Sequence, residues 1–174
     1  MKAVIDTSTL ISLAKIGFLE LFKKLKRDIF IPESVYQEAV IKGEEKALTD
    51  AAVIKNFIKN SNLKIHAVKS HYSELSRSKI NKTLAQGDEA VLALAFQIKA
   101  KEIITNDDGL GRIALSMGFR VNASPDLLLE GLSTNIVILK DYENFLRNLV
   151  IENRITSVVA EIYIMEGRKY AKDY

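Results

Sequence analysis

Residues Leu84 to Lys99 have the sequence LAQGDEAVLALAFQIK, and this stretch decides how the rest of the chain is interpreted. Asp88 and Glu89 fall in the first turn of a predicted helix, where the helix dipole favours negative charge. The residues that follow are apolar on nearly every face, which predicts a helix buried in the core. The helix therefore begins with a carboxylate at the edge of a core. That carboxylate either caps the helix or joins other carboxylates in a site.

The composition is that of an ordinary globular domain and excludes several classes of protein. The 174 residues are 48% hydrophobic and 27% charged, which fits one domain with a sizeable core. No apolar run approaches the ~20 residues that span a bilayer, and the first residues lack a signal-peptide pattern, so we expect a cytoplasmic protein without a membrane segment. The absence of cysteine excludes disulfides and thiolate sites, and two histidines leave little for a zinc site. A net charge of +3 permits a nucleic-acid partner without demonstrating one.

Short predicted strands alternate with predicted helices along most of the chain. The strands are expected at residues 2–6, 28–31, 63–68, 102–105 and 119–121. A capping-box pattern at Ser34 to Gln37 predicts the start of a helix there and places Glu38 about one turn inside it. The alternation predicts an α/β fold of three layers, in which helices cover both faces of a central, mostly parallel sheet of short strands.

The closing helix, at about residues 156–171, allows two interpretations. Its apolar residues are expected to lie on one side and to face the core: Ile155, Val158, Val159, Ile162 and Met165. Its tyrosines belong to a residue type that interfaces favour, so part of this segment is alternatively a homodimer contact or a partner site.

Four acidic residues are predicted to meet at one edge of the sheet. Open parallel sheets bind ligands at the carboxyl ends of their strands. Asp6 ends the first strand, Asp107 follows the fourth, Asp88 opens the helix that enters the fourth, and Glu38 lies early in the helix after the second. Each residue alone also has a structural explanation, as an N-cap, a first-turn residue or a solvated side chain.

A cluster of carboxylates requires a compensating charge, because like charges repel and raise one another's pKa. Mg²⁺ binds through a few carboxylates while keeping several waters. One or two such ions can polarise a phosphodiester, generate hydroxide and stabilise the leaving oxygen. The predicted cluster therefore suggests metal-dependent phosphodiester hydrolysis.

The four segments that carry these acids resemble the acidic motifs of the PIN-domain family, in the family's order and at its usual separations. They are VIDTSTL at 4–10, IPESVYQE at 31–38, GDEAVLALA at 87–95 and ITND at 104–107. The resemblance implies a single PIN-like domain, with a core at about residues 1–125 and a helical C-terminal extension at about 126–174, as in extended prokaryotic PIN-like proteins. It also implies a metal-dependent endoribonuclease that acts on RNA. Many prokaryotic members are toxins of toxin–antitoxin pairs, whereas others process ribosomal RNA.

The resemblance also implies roles for individual residues. Asp6, Glu38, Asp88 and Asp107 match the positions that bind Mg²⁺ or Mn²⁺, with Glu38 on a second metal ion or a metal-bound water. Glu89 competes for the third of these positions, but the family's spacing favours Asp88.

Accessory residues follow from the same match. Ser8 and Thr105 match small polar positions that orient the site, and Asp108 contributes through a water or caps the next helix. Several basic residues are suited to phosphate contacts, although such residues most often simply face solvent. They are Lys69, Arg77, Lys79 and Lys82.

Other interpretations stay open at this stage. A PIN-like chain that keeps the acidic pocket but not turnover would be an RNA-binding or protein-binding module. A doubly wound sheet with aspartates at its strand ends also occurs in receiver-like phosphoacceptors, although these need a lysine at a later strand end and none is a clear match here. If the chain is a toxin, its expected partner is an antitoxin protein.

Overall fold

A parallel sheet of five strands forms the centre of the computed structural model, which describes residues 1–78 and 85–171. The strands are β1 (Lys2–Ile5), β2 (Asp28–Pro32), β3 (Lys64–His66), β4 (Glu102–Ile104) and β5 (Arg120–Asn122). Their order is β3-β2-β1-β4-β5, and Val4 of β1 pairs with Phe30 on one side and Ile103 on the other. The predicted α/β fold with a parallel sheet is confirmed.

The strand order separates this fold from a receiver-like domain. Receiver-like sheets have the order 2-1-3-4-5, whereas here β1 lies between β2 and β4. The sheet therefore grows from β1 towards β3 and then, after a reversal, from β4 towards β5. Ligands of open parallel sheets bind in the crevice at such a reversal, outside the carboxyl ends of the strands.

The central strands are covered on both faces. Ala3, Val4 and Ile5 are successive residues of β1, and all three are fully buried. Because successive side chains of a strand point to opposite faces, this run requires cover on each. Helices surround the sheet: α1 (Thr7–Lys15), α2 (Leu19–Phe22), α3 (Glu33–Tyr36), α4 (Lys42–Glu45), α5 (Thr49–Asn60), α6 (Ser70–Ser78), α7 (Gln86–Gln97), α8 (Asp108–Ser116), α9 (Ser124–Ser133), α10 (Leu139–Ile151) and α11 (Ser157–Ala171).

Helix α7 is the buried helix that its sequence predicts. Val91 to Ala95 are fully buried, and the helix packs against β1, β2 and β4. It begins at Gln86, slightly earlier than expected, so Gly87 lies in its first turn. Within residues 1–78 and 85–171, no helix has both the length and the apolar character needed to cross a membrane.

The helix after β2 starts differently from its prediction. It begins at Glu33, with Pro32 in extended conformation as the N-cap residue, so Ser34 lies inside the first turn. The Ser34 hydroxyl is buried without a hydrogen-bond partner. The predicted capping box is therefore wrong, because the strand runs directly into the helix and Ser34 is not at its N-cap. A π-helical turn, Gln37–Ile41, continues the helix and carries Glu38.

The C-terminal helices pack on one another through two tyrosines. The Tyr142 hydroxyl donates a hydrogen bond to the backbone carbonyl of Tyr163 at 2.6 Å, and the Tyr163 hydroxyl donates to Asp126 at 2.5 Å. Gly167 of α11 permits this approach, since a Cβ at that position would lie 2.3 Å from the Tyr142 ring. Tyr163 is thus held within the chain rather than offered to a partner.

The buried face of α11 differs from the predicted one. Val158, Ile162 and Met165 were expected in the core, but they are 67%, 60% and 66% exposed. The face that packs inward carries Ala160 and Ile164 instead. Gly167 and Ala160 are the small residues that let α11 lie close to its neighbouring helices, and the larger side chains face outward.

A buried ion cluster lies at the amino-terminal end of β4. The Arg27 guanidinium donates to Glu102 at 2.7 Å and to Glu130 at 2.6 Å, and Asn122 also donates to Glu102. Burial alone would lower the pKa of Arg27, but the hydrogen bonds to Glu130 and Glu102 outweigh burial and raise the pKa above its ordinary value. The cluster joins the loop before β2 to β4, β5 and α9.

Arg27→Met is expected to destabilise the protein by about 3–5 kcal/mol, because it leaves the fully buried Glu102 carboxylate without its cation. Urea unfolding followed by circular dichroism measures the loss. Lys23→Met is the matched control, since Lys23 pairs with Glu20 at the surface and such pairs contribute about 1 kcal/mol or less. An equal loss in the two variants would contradict a stabilising role for the cluster.

Candidate functional site

A cavity of about 430 Å³ opens beside the carboxyl ends of β1 and β4, where the strand order reverses. Its lining residues come from distant parts of the chain: Asp6, Thr7, Ser8, Ile11, Glu38, Ala85, Gly87, Asp88, Asp107 and Arg154. The four acidic residues singled out in the sequence therefore border one cavity.

Asp6 follows β1 directly and is only 4% exposed. Its Oδ1 accepts hydrogen bonds from the Thr9 backbone amide at 2.6 Å and from the Ser8 hydroxyl at 3.3 Å. Its Oδ2 accepts from the Thr105 hydroxyl. Asp6 is thus an N-cap of α1, as one interpretation of the sequence held, and it lines the cavity as well. These hydrogen bonds fix the orientation of its carboxylate.

Thr105 links Asp6 to Asp107. Its hydroxyl donates to Asp6 and accepts a hydrogen bond from the backbone amide of Asp107 at 3.0 Å. Asp107 Oδ1 caps α8 by accepting from the Leu110 amide at 2.7 Å. Asp107 Oδ2 has no hydrogen-bond partner in the described part of the chain, so this oxygen is free to bind a cation.

Glu38 reaches the cavity from the π-helical turn. The Thr7 hydroxyl donates to Glu38 Oε2 at 3.0 Å and so joins the first turn of α1 to this carboxylate. On the other side, a Cβ on Gly87 would lie 3.9 Å from the same oxygen. Glu38 therefore lies next to the first turn of α7. Short π-helical insertions often occur at functional sites.

The electrostatics of the cluster are clearest at Asp88. Burial raises the pKa of Asp88, and the negative charges of Asp107, Asp6 and Glu38 raise it further. The amino terminus of α7 favours the ionised form of this residue, yet the net shift of its pKa is upward. The four carboxylates therefore act on one another as one cluster.

The donor set suits a hard divalent cation. Its acidic members offer carboxylate oxygens, which Mg²⁺ and Mn²⁺ prefer. Among the described residues, no three Asp, Glu or His side chains come close enough to form a compact ligand group. The carboxylates surround the cavity instead, as expected of charges that repel one another. A Mg²⁺ ion bound here would therefore contact part of its ligand set through waters, several of which it keeps when it binds to proteins.

The remaining predicted residues divide into two groups. Ser8 lines the cavity and contacts Asp6, as an orienting residue would. Asp108 lies exposed in the first turn of α8, outside the cavity lining. Glu89 borders a different cavity, together with Glu33. Of the two neighbouring acids in α7, it is Asp88 that faces the other carboxylates.

The predicted RNA-contacting residues are not part of the cavity wall that the structure describes. Lys69 is exposed, and its backbone amide donates to the Gln97 side chain at 2.9 Å. The Arg77 side chain, Lys79 and Lys82 lie outside the described residues. Their contact with RNA stays a prediction.

Two polar residues of the cavity wall were not predicted from the sequence. Thr7 directly follows Asp6, so a hydroxyl beside the first acidic position was an available signal. Arg154 lies in the short break between α10 and α11, far along the chain from the last acidic motif. No local pattern marks it, because the packing of the C-terminal helices determines where it lies.

Comparisons with known proteins bear on the fold of the chain. A family model described as a PIN domain (DUF3368) matches residues 2–161. Among solved structures, one chain in the crystal structure of VapBC2 from Rickettsia felis bound to a DNA fragment from their promoter is similar, with a TM-score of 0.53. The two chains are 19% identical, and the match covers 71% of this chain and 98% of that chain, so the likeness concerns the fold alone. A search of curated proteins found no match.

Asp88→Asn is expected to stabilise the metal-free protein near neutral pH by roughly 0.5–1 kcal/mol, because it removes a charge that burial and the neighbouring acids disfavour at this partly exposed, solvent-screened position. The folded-state pKa of Asp88 is raised above 3.8, so protonated Asp88 favours the fold and this contribution is lost as the pH rises through the folded-state pKa. The gain should therefore vanish below pH 3.8, where Asp88 is protonated in both folded and unfolded chains.

Urea midpoints measured across this pH range test the effect. Asp108→Asn is the matched control, because Asp108 is an exposed first-turn acid outside the cavity and should give no gain. Added Mn²⁺ should stabilise the wild type but not Asp88→Asn. A lower midpoint for metal-free Asp88→Asn near neutral pH would contradict mutual repulsion within the cluster.

Proposed function

This chain belongs to the PIN-domain family, and we propose that it is a metal-dependent endoribonuclease that hydrolyses RNA phosphodiester bonds. The observation that carries the proposal is the meeting of Asp6, Glu38, Asp88 and Asp107 around one cavity. Repelling carboxylates destabilise a fold, whereas a site for divalent cations requires them. Because RNA is the proposed substrate, we place the protein in the cytoplasm.

The four acids would divide the binding of Mg²⁺ or Mn²⁺. Asp6, Asp88 and Asp107 would hold one ion, and Glu38 would hold a second ion or a water of the first. When bound, such a cation polarises the scissile phosphate and lowers the pKa of the attacking water. The open cavity leaves room for both the phosphate and that water.

The chain's own hydroxyl groups orient the acids. Thr105 holds Asp6 and the backbone of Asp107 together, and Thr7 holds Oε2 of Glu38. Glu38 Oε1 is left to accept a hydrogen bond from the attacking water, which would direct the water at the phosphorus in line with the leaving oxygen. Such positioning supplies a large part of the barrier reduction in phosphoryl transfer.

Two cellular roles fit this activity. As a toxin, the protein would pair with an antitoxin that covers the acidic cavity, and the likeness to a chain of the VapBC2 structure supports this role. As an RNA-processing enzyme it would need no such partner, and the long helical C-terminal part supports this role. A small neighbouring gene that overlaps this one would select the toxin.

A module that binds RNA without cleaving it is the second candidate. The wide spacing of the carboxylates, which form no compact ligand group in the described chain, favours it. RNA affinity without cleavage under any divalent cation would select this candidate.

The purified protein is expected to cleave single-stranded RNA in the presence of Mg²⁺ or Mn²⁺, and cleavage should stop when EDTA is added. Asp6→Asn and Asp88→Asn should each reduce the rate by more than about a hundredfold, because the loss of a residue that merely supports a metal ligand already costs about 10–100-fold. Asparagine caps helices as well as aspartate does, so Asp6→Asn keeps the cap of α1. Gel assays with end-labelled RNA give the rates.

Asp108→Asn is the control for these variants, since it changes an aspartate outside the cavity and should leave cleavage unchanged. Circular dichroism verifies that each variant is folded. Cleavage that persists in both Asp6→Asn and Asp88→Asn would assign the activity to another site or to a contaminant.

Thr105→Val is expected to lower kcat/KM by about tenfold or more, because residues that orient metal ligands have effects of this size. Thr105→Ser restores the hydroxyl and should recover most of the loss. In calorimetric titrations, the Mn²⁺ affinity should be highest in the wild type, lower in Thr105→Ser and lowest in Thr105→Val. If valine and serine reduce kcat/KM equally, the hydroxyl does not orient the site.

A further inference from the structure

Among the side chains that the structure describes, Arg154 is the one cation in the wall of the acidic cavity. We propose that Arg154 is a substrate-binding residue, whose guanidinium binds a phosphate group of the RNA in this cavity. The inference rests on the proposed function, because it assigns the phosphate-binding group of the same site.

The Arg154 guanidinium has no hydrogen-bond or ion-pair partner among the residues that the structure describes. Its Nε is buried and makes no hydrogen bond, and the side chain forms no ion pair with the carboxylates of the described chain. Elsewhere this protein satisfies buried guanidinium groups, as Arg27 shows with Glu102 and Glu130. A buried donor without a partner is costly and requires an explanation, such as a ligand that completes it.

The backbone at Arg154 is fixed by the end of α10. The Asn153 amide donates to the Val150 carbonyl at 2.9 Å, and the Arg154 amide donates to the Leu149 carbonyl at 2.8 Å. Asn153 has a φ of 53°, so it occupies the left-handed position of a Schellman motif. Asparagine tolerates this conformation better than most residues. Arg154 therefore extends from a defined turn.

The same turn is tied to the site helix. Glu152 forms an ion pair with Lys15 at 2.7 Å, and Lys15 is the last residue of α1. The first turn of α1 carries Thr7 and Ser8 in the cavity wall. The C-terminal helices thus deliver a cation to the site formed by the first part of the chain.

Phosphate is the ligand that this arrangement fits. The carboxylates alone would repel RNA, and a divalent cation would offset only part of their charge. A guanidinium presents a planar set of donors that matches phosphate oxygens and keeps its charge at every physiological pH. If Arg154 merely neutralised the acids, it would be expected to form an ion pair with one of them. No such pair between Arg154 and a carboxylate occurs among the described residues.

The test compares Arg154→Gln with the wild type and with the control Arg147→Gln. Arg147 lies on α10 and pairs with Glu143 outside the cavity. The probe is a short fluorescein-labelled single-stranded RNA of mixed sequence, held with Ca²⁺, and its intactness is checked on a gel. Anisotropy at several salt concentrations gives the affinity and its salt slope, and calorimetry gives the Mn²⁺ affinity.

Arg154→Gln is expected to weaken RNA binding about tenfold or more, as the loss of a charged hydrogen bond does. The slope of log affinity against log salt concentration should decrease in magnitude by about one, which corresponds to one lost phosphate contact. Mn²⁺ affinity should stay within about twofold, and the urea midpoint should not drop, because an unpartnered donor is removed. Arg147→Gln should leave the RNA affinity near the wild-type value. The RNA affinity of Arg154→Lys should lie between those of Arg154→Gln and the wild type.

Unchanged RNA affinity in a folded Arg154→Gln variant would overturn the proposal while leaving wild-type cleavage, and so the proposed function, intact. Tighter Mn²⁺ binding with faster cleavage would also overturn it, because Arg154 would then be a counter-ion of the acids. If the wild type cleaves no RNA but its RNA binding still depends on Arg154, the proposed function fails and the phosphate-binding role stands. If Arg154→Gln does not fold, RNA affinity at the wild-type level in Arg154→Lys, with an unchanged salt slope, would overturn the assignment of the guanidinium as the phosphate-binding group.

Discussion

The mutual repulsion of four carboxylates at one end of a parallel sheet is the constraint on which the rest of the site depends. The reversal of strand order between β1 and β4 brings Asp6 and Asp107 close enough for one threonine hydroxyl to bridge them. The first turn of α7 adds Asp88, and the π-helical turn adds Glu38. Burial raises the pKa of Asp88, and the charges of the three neighbouring acids raise it further.

The remainder of the fold holds these charges in position. The sheet beneath them is buried on both faces, and the Arg27 cluster secures the amino-terminal end of β4 with paired charges. Carboxylates paired with a cation thus lie at one end of this strand, and carboxylates that form no ion pair with described residues lie beyond the other. Such a division is expected when stability is provided by the scaffold and a ligand is left to complete the site.

Much of the fold and of the cluster could be predicted because both depend on local patterns. The apolar helix with Asp88 in its first turn and the aspartates at strand ends follow from spacing alone, and parallel strands bring such ends together. Other features depend on packing. Ser34 matches a capping box but lies inside its helix, and the large side chains of α11 face outward because Ala160 and Ile164 pack inward. Arg154 reaches the cavity only through the tertiary arrangement of α10 and α11.

The central claim is that these acids form one cation site, and a crystal of the protein soaked in Mn²⁺ tests it most directly. The anomalous signal of Mn²⁺ locates the ion independently of any assumption about the ligands. The account predicts a peak inside the cavity, within coordination distance of Asp6, Asp88 or Asp107 or of waters that they hold. A fully occupied Mn²⁺ peak elsewhere on the protein, with the cavity empty, would contradict it.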